Sequence, residues 1–242
     1  FQPLAELTFQ HATLQARERV MDAACGTGIV TRVAVKQFEN LGKVVGVDLN
    51  AGMLDIARQR MPKTRVPIEW QQADICALPF PDGGFDVVLC QQGLQFIPDK
   101  AAAMREMRRM LASGGRLVFS VWIESPYHTA LADALTRHVN AQAAKNCLAP
   151  YNLRDPELVR KLVTDAGFSE IDMKTLDVSI RVSPSSADSL FETVAARSPF
   201  VQEITGASAA LKKEVSAALQ DYRDGDDYIV PWKTHLVQAR AA

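Results

Sequence analysis

Five short apolar segments alternate with segments of helical periodicity over the first half of the chain. The apolar segments are predicted strands, at residues 20–24, 44–47, 68–72, 85–90 and 116–123. Apolar residues recur every three or four positions in the predicted helices, at residues 28–38, 50–61 and 99–111. Strands this apolar are buried on both faces, which is typical of a parallel sheet covered by helices on each side. The pattern therefore predicts an α/β fold with a doubly wound sheet, in which ligands bind beyond the carboxyl ends of the strands.

The second half of the chain has a different pattern, with more helix and less strand. Helices are predicted at residues 127–144, 155–166, 186–197 and 207–222, strand material within 168–182, and a last strand at 228–239. No repeat or low-complexity linker separates the two halves. We therefore interpret residues 1–242 as a single domain with its core at 20–123. The segments 124–154 and 183–225 are expected to be helical insertions over the active site, where they would roof a substrate pocket.

The composition excludes several kinds of protein. Lys and Arg number 27 and Asp and Glu 28 in 242 residues, and this net charge of −1 argues against a dedicated nucleic-acid binder. No apolar run approaches the roughly 18 residues of a membrane-spanning helix. Cys25, Cys76, Cys90 and Cys147 form no CxxC pair and no zinc-binding spacing, so we expect free thiols, no metal and a cytoplasmic location. The chain starts without Met and without a secretory-signal pattern, and we expect that part of the natural N-terminus is missing from it.

The segment from Val20 to Gly28, with the sequence VMDAACGTG, carries the strongest ligand-binding motif. A predicted strand runs there into a glycine turn and then into a helix. Gly26 and Gly28 allow a ligand to approach the backbone where a side chain would collide, and the helix N-terminus supplies N–H donors. Asp48 ends the next strand, 20 residues after Gly28, where a carboxylate can accept hydrogen bonds from both hydroxyls of a ribose.

A third acidic position follows the third strand. Asp74 can accept a hydrogen bond from an adenine amino group, and the backbone N–H of Ile75 can donate to a ring nitrogen. Dinucleotide-binding enzymes use the same glycine turn and strand-end carboxylate, so an NAD(P)-dependent oxidoreductase stays open as an alternative. Their fingerprint has a third small residue where this chain has Thr31, which weakens that alternative. A non-catalytic protein that only binds the cofactor is the other alternative.

Four ordered motifs together resemble the class I S-adenosylmethionine-dependent methyltransferases. They are VMDAACGTG, VVGVDLN followed by ML, ADICALPFPDGGFDVV and LASGGRLVFSVW, and they lie between residues 20 and 122. The group related to the ubiquinone/menaquinone-biosynthesis methyltransferases is the most similar. The resemblance implies a Rossmann-like, seven-stranded, mostly parallel sheet with an antiparallel last strand. It also implies that S-adenosylmethionine is the cofactor and S-adenosylhomocysteine the product.

The resemblance further implies which residues contact the methionine part of the cofactor. Asp22 would face the amino group, directly or through water, and Ala24, Gly26 and Gly28 would form the loop beneath. Gln91, just past the fourth strand, would lie near the methionine moiety and the transferred methyl group. The chain departs from the family at Ala24, where many members have glycine; alanine is small enough that we expect little effect.

The nucleoside part of the cofactor would contact the next two strand ends. By the same resemblance, Asp48 would hold the ribose, and Leu49 or Met53 would pack on the adenine. Asp74 and Ile75 would bind the adenine edge. Methyl transfer from a sulfonium is an in-line displacement that depends on alignment in a dry site, and a general base is needed only where the nucleophile must lose a proton.

The acceptor is expected to be a small, partly apolar molecule, because the predicted insertions are rich in Ala, Leu and Val. Candidate substrate-binding residues follow the fourth and fifth strands: Gln95, Phe96, Tyr127, His128 and Tyr151. The catalytic residue is left unassigned, with His128 as the candidate base. The acceptor atom (oxygen, nitrogen or carbon) and the oligomeric state are not predicted.

Overall fold

The computed structural model describes residues 2–196 and 198–241. The helices are α1 (Gln2–Ala12), α2 (Ile29–Gln37), α3 (Ala51–Arg60), α4 (Lys100–Met110), α5 (Pro126–His138), α6 (Ala141–Cys147), α7 (Pro156–Asp165), α8 (Pro184–Ala196), α9 (Val201–Gly206) and α10 (Ser208–Ala218). The strands are β1 (Arg19–Ala23), β2 (Lys43–Asp48), β3 (Ile68–Gln72), β4 (Phe85–Gln91), β5 (Leu111–Glu124), β6 (Phe168–Val182), β7 (Arg223–Asp224) and β8 (Asp227–Ala241).

The strands form one mixed sheet in the order β3-β2-β1-β4-β5-β8-β6, and the two-residue β7 pairs antiparallel with β8. The neighbouring pairs from β3 to β5 are parallel. The predicted α/β fold with a mostly parallel sheet and an antiparallel last strand is confirmed, and the short β7 brings the sheet to eight strands where seven were predicted. The strand order reverses between β1 and β4, so the glycine turn after β1 lies at the switch point, where open α/β sheets bind ligands.

Several boundaries differ from the predicted ones. The helix predicted at 127–144 is two helices, because the Asn140 side chain caps α6 by accepting a hydrogen bond from the Ala143 N–H at 2.8 Å. The strand predicted from residue 116 begins at Leu111, which pairs with Phe85 across an irregularity in the register. Helices α1 and α9 were not predicted. Residue 197, the predicted end of one helix, lies outside the described residues.

The chain divides into two compact units. Unit 1 comprises residues 2–121, 155–175 and 235–241, and unit 2 comprises residues 122–154, 176–196 and 198–234. In unit 1, α1 packs with α2, and α4 packs with α7. In unit 2, α5 packs with α6 and α10. Unit 2 contains both segments that were predicted as insertions, and the single-domain organisation stays a prediction.

The apolar strands and one face of each helix form the core of unit 1. Strands β1, β2 and β4 carry fully buried aliphatic residues on both faces, as a covered parallel sheet requires. Helix α4 buries Ala103, Met104 and Met107, and its N-terminus is capped by Asp99, which accepts from the Ala102 N–H at 2.8 Å. Within the described part of the chain, none of the helices has the length and apolar character to cross a membrane.

Candidate functional site

The turn between β1 and α2 has a backbone that few side chains tolerate. Ala24, Gly26 and Gly28 all have positive φ, at 54°, 54° and 72°. A Cβ on Gly28 would lie 2.7 Å from the Trp70 ring, so both the backbone and the packing require glycine there. Gly28 is also the N-cap of α2 and offers no side-chain acceptor to the first turn. The start of this helix therefore keeps N–H groups available to an external acceptor.

Asp48, at the end of β2, is fixed by the turn it faces. One carboxylate oxygen, Oδ2, accepts from the Gly26 N–H at 2.8 Å, and Oδ1 accepts from the Asn50 N–H at 2.9 Å. The Cys25 N–H donates to the Val47 carbonyl at 2.9 Å, which joins the turn to β2. Each carboxylate oxygen has a second acceptor position, so the half-buried Asp48 can still accept hydrogen bonds from a ligand.

Asp22, in β1, has one satisfied and one unsatisfied oxygen. Oδ2 accepts from both the N–H and the hydroxyl of Thr31, at 3.0 and 2.6 Å. Oδ1 is buried and has no hydrogen-bond partner among the described residues, and the whole residue is 1% exposed. Burial raises the pKa of Asp22 to about 7, against the opposing effect of the Thr31 hydrogen bonds. A ligand cation at Oδ1 would satisfy this atom and favour the ionised carboxylate.

The loops after β2 and β3 lie side by side. The Gln72 side-chain amide donates to the Leu49 carbonyl at 3.1 Å, and the Ala73 N–H donates to the Asp48 carbonyl at 3.2 Å. Leu49 and Met53 are large apolar side chains that are exposed, at 67% and 36%. These contacts place an apolar surface next to the ribose-binding candidate Asp48.

Asp74 and Ile75 follow β3 in a tight turn. The Asp74 Oδ1 atom accepts from the Cys76 N–H at 2.8 Å, and the Asp74 carbonyl accepts from the Ala77 N–H at 3.0 Å. Asp74 is exposed, whereas the Ile75 side chain is buried. The turn therefore presents a polar edge, the Asp74 carboxylate, beside the strand ends that carry Asp48 and Leu49.

The loop after β4 contacts the glycine turn. A Cβ on Gly93 would lie 2.5 Å from the Ala24 Cβ, so the two loops touch at the switch point. Gln91, the last residue of β4, accepts a hydrogen bond from the Thr8 hydroxyl of α1 at 3.4 Å. The predicted acceptor residues of this loop differ in exposure: Gln95 is 3% exposed and donates to the Gln92 side chain at 3.1 Å, whereas Phe96 is 51% exposed.

Three residues of this region were not predicted as parts of the site: Thr31, Trp70 and Gly93. Thr31 holds Asp22, Trp70 packs against Gly28 and Gly46, and Gly93 allows the contact with Ala24. Trp70 and Gly93 act through partners far away in the sequence, whereas Thr31 acts through Asp22, nine positions earlier. The acidic strand ends and the glycines were recognisable because they follow apolar strands directly.

In unit 2, the predicted residues Tyr127, His128 and Tyr151 come together. The His128 Nδ1 atom lies 2.9 Å from the Tyr151 hydroxyl and 3.2 Å from the Ser125 hydroxyl. The His128 ring centroid lies 5.3 Å from those of Tyr127 and Trp232 and 5.4 Å from that of Tyr151. Burial lowers the pKa of His128 to about 4 and raises that of Tyr151, so both side chains are neutral at pH 7. The aromatic enclosure makes this histidine a weak proton acceptor.

The described residues contain no cluster of potential metal ligands. No group of three or more His, Cys, Asp or Glu side chains is arranged there to hold a metal ion. The ionisable side chains described above are used instead in hydrogen bonds to backbone and hydroxyl groups.

The chain is similar in sequence to known methyltransferases. Residues 21–119 match a family model described as a methyltransferase domain. The ubiquinone/menaquinone biosynthesis C-methyltransferase UbiE of Escherichia coli is 32% identical over 179 residues, which cover 67% of this chain and 71% of UbiE. The 2-phytyl-1,4-naphtoquinone methyltransferase of Synechococcus elongatus is 32% identical over 148 residues, covering 58% of this chain. The match spans 63% of that relative, less than two thirds of its length.

The fold also recurs among solved structures. The YcgJ protein of Bacillus subtilis shares 18% sequence identity with a TM-score of 0.65, and the alignment covers 99% of this chain and 98% of YcgJ. At that identity the likeness concerns the fold alone.

Proposed function

Because the chain belongs to the S-adenosylmethionine-dependent methyltransferase family, we propose that it transfers a methyl group from S-adenosylmethionine to a small, partly apolar molecule. The family indicated by the four sequence motifs is thereby confirmed. The observation that carries the proposed activity is the buried, unpartnered Oδ1 atom of Asp22 beside the glycine turn. An unsatisfied buried oxygen destabilises a fold by about 1–3 kcal/mol, and a cationic ligand group removes that penalty.

The methionine part of the cofactor would be held by the β1–α2 turn. Asp22 would accept from the ammonium group, and Ala24, Gly26 and Gly28 would keep the backbone free of large side chains. The N-terminus of α2 would face the carboxylate. Gln91, whose Oε1 atom lies 3.4 Å from the Thr8 hydroxyl of α1, would lie near the reacting methyl group.

The nucleoside part would be held by the adjacent loops. Asp48 would accept from the ribose hydroxyls, because its carboxylate is already oriented by the Gly26 and Asn50 N–H groups. Leu49 and Met53 would pack on the adenine, which would explain their exposure. Asp74 and Ile75 would bind the adenine edge.

The chain's contribution to the reaction is alignment rather than acid–base chemistry. When bound, the cofactor supplies a methyl group on a positively charged sulfur. The side chains around it would hold the acceptor in line and exclude water. We assign no catalytic base, because the pKa of His128 is lowered to about 4 by burial. Tyr127, His128 and Tyr151 stay candidate acceptor contacts in unit 2, and Gln95 and Phe96 stay candidates in unit 1.

The acceptor class follows from the relatives' names. Two of them are named for methylation of a naphthoquinone and for ubiquinone/menaquinone biosynthesis. These names support a ring compound of quinol type as acceptor. All four cysteines are free thiols, which is consistent with a reducing compartment.

Calorimetric titration tests the cofactor assignment. We expect S-adenosylhomocysteine to bind with micromolar affinity and NAD not to bind. Asp48→Asn should weaken S-adenosylhomocysteine binding at least tenfold, because the amide loses one of the two oxygens that accept hydrogen bonds. Asp55→Asn, a change of the same kind at an exposed α3 position that pairs with Arg58, is the matched control.

Two outcomes would contradict the proposal. NAD binding without S-adenosylhomocysteine binding would favour the oxidoreductase alternative. Equal affinities for Asp48→Asn and Asp55→Asn would refute the ribose assignment. A turnover assay with naphthoquinols then distinguishes an enzyme from a protein that only binds the cofactor.

A further inference from the structure

Unit 2 contains a cavity of about 590 Å³. It lies between the start of α5, helices α8 and α10, and the β7–β8 hairpin. We call it the α8–α10 cavity, and its lining includes Tyr127, Phe191, Val215, Ser216, Arg223 and Tyr228. Small-molecule sites in proteins typically occupy about 300–1,000 Å³, so the volume suits a compact organic ligand.

The inner wall of the cavity is apolar. Tyr127, Phe191 and Val215 are all nearly buried, at 2%, 6% and 6% exposure. The only polar atom of the Tyr127 side chain, its hydroxyl, donates to the Ala187 carbonyl at 3.0 Å. Tyr127 therefore offers the cavity a ring surface rather than a free hydrogen-bonding group. Such a wall fits an aromatic or alicyclic ring.

The charges around the cavity are balanced. Lys212 pairs with Asp188 at 2.6 Å and also lies 5.2 Å from the Phe191 ring centroid. Arg223 and Asp226 lie at the exposed rim with opposite charges, and neither makes an ion pair with another described residue. No unpaired buried charge is present on the lining to select an ionic ligand. An uncharged ligand body therefore matches the cavity best.

A polar network adjoins the apolar wall within the same unit. Tyr127 is followed directly by His128, and their ring centroids are 5.3 Å apart. The His128 ring in turn contacts the hydroxyls of Ser125 and Tyr151. Ser125, His128 and Tyr151 do not line the cavity, so this network packs behind the Tyr127 ring.

We propose that the α8–α10 cavity binds the uncharged ring body of the methyl acceptor. This assignment rests on the proposed function, and it specifies the acceptor as a compact aromatic or alicyclic compound. The ring would lie against Tyr127 and Phe191.

Two adjacent exposed positions of α10 provide a matched pair of variants. Ser216 lines the cavity and Ala217 does not, and neither side chain belongs to the core. Ser216→Trp places an indole at the mouth, whereas Ala217→Trp places it outside. The probe is 1-aminoanthracene, an uncharged aromatic amine whose fluorescence increases in apolar surroundings. We expect saturable 1:1 binding, weakened at least tenfold by Ser216→Trp and less than twofold by Ala217→Trp.

The acceptor assignment is tested by kinetics on the same three proteins. With an uncharged naphthoquinol, Ser216→Trp should raise the acceptor KM at least tenfold and leave the S-adenosylmethionine KM unchanged. Absence of saturable dye binding, equal effects of the two variants, or an unchanged acceptor KM would each overturn the proposal. If S-adenosylhomocysteine binds to none of the proteins while the dye behaves as expected, the methyltransferase function fails and the cavity stands as a ligand site without it.

Discussion

The buried carboxyl of Asp22 predicts that both folding stability and cofactor affinity depend on pH near neutrality. In the folded protein its pKa is raised from 3.8 to about 7, chiefly by burial. In the unfolded chain the group ionises near its ordinary value. Between about pH 4 and pH 7 the folded state therefore holds a proton that the unfolded state has released.

The proton on folded Asp22 determines how the free energy of unfolding changes with pH. Since the unfolded state binds fewer protons in this interval, the free energy of unfolding falls as pH rises from about 4 to 7. The difference between the two pKa values of Asp22 corresponds to about 4 kcal/mol. This contribution is fully present below pH 4 and lost above pH 7. A carboxylate that gains an ion pair on folding would give the opposite slope.

Cofactor binding should show the reverse dependence. If the ammonium group of the cofactor requires ionised Asp22, binding below pH 7 must displace a proton from the carboxyl. The affinity for S-adenosylhomocysteine should then fall roughly tenfold for each pH unit below 7 and level off above it. Calorimetry at pH 5.5, 6.5, 7.5 and 8.5, in two buffers of different ionisation enthalpy, measures both the affinity and the protons released.

Asp22→Asn tests whether the pH dependence of cofactor binding comes from this carboxyl group and not from another one. The amide oxygen can still accept the two Thr31 hydrogen bonds, so the variant should fold. It should bind S-adenosylhomocysteine weakly and with the slope near pH 7 abolished, whereas Asp55→Asn should retain the slope. A wild-type affinity that is flat from pH 5.5 to 8.5, or an equal slope in Asp22→Asn, would refute the reasoning.

Two further pairs of variants test the packing of unit 1 by urea denaturation. Gly28→Ala adds a Cβ at a positive φ and 2.7 Å from the Trp70 ring, so it should lower the free energy of unfolding by about 2–3 kcal/mol. Gly26→Ala adds a Cβ at a positive φ but in open space, so it should lower the free energy of unfolding by about 1 kcal/mol. Equal losses of stability in the two variants would contradict the role of the Trp70 contact. Glu18→Gln breaks a largely buried ion pair with Arg116 at 2.8 Å and should destabilise the protein by about 3 kcal/mol. Asp165→Asn removes one partner of the exposed ion pair with Lys161 and should change the free energy of unfolding by less than about 1 kcal/mol. A similar effect of Glu18→Gln and Asp165→Asn would show that burial of an ion pair is irrelevant to its contribution.

The parts of the fold that the sequence predicts are those encoded by local patterns. Strands β1, β2 and β4 are apolar on both faces, and Asp22, Asp48 and Asp74 lie in or just after strands, so their common edge follows from a parallel sheet. Asn140 breaks a helix that continuous alanine-rich periodicity predicted, because capping overrode propensity. Leu111 became a strand residue through pairing with Phe85, which no window around it reveals.

The parts of the site that sequence reasoning missed depend on contacts between distant segments. In the sequence, Thr31 is only a departure from a dinucleotide fingerprint, yet its hydroxyl and N–H hold Asp22, nine positions earlier. The neutral state of His128 depends on rings from Tyr151 and Trp232, which lie 23 and 104 positions away. The α8–α10 cavity likewise arises from three helices and a hairpin, and none of them has a pattern that indicates a cavity.

The close approach of Ala24 and Gly93 links two loops that are far apart in the sequence. A side chain at 93 would place its Cβ 2.5 Å from the methyl of Ala24, so the two positions together have room for a single methyl group. The present arrangement puts that methyl at 24, where φ is 54°, instead of at 93, where the backbone is right-handed helical. Exchanging the two residues would keep the total volume and relieve the strain at 24. The glycine turn and the β4 loop thus form one steric unit, in which the size of one residue sets the size that the other can have.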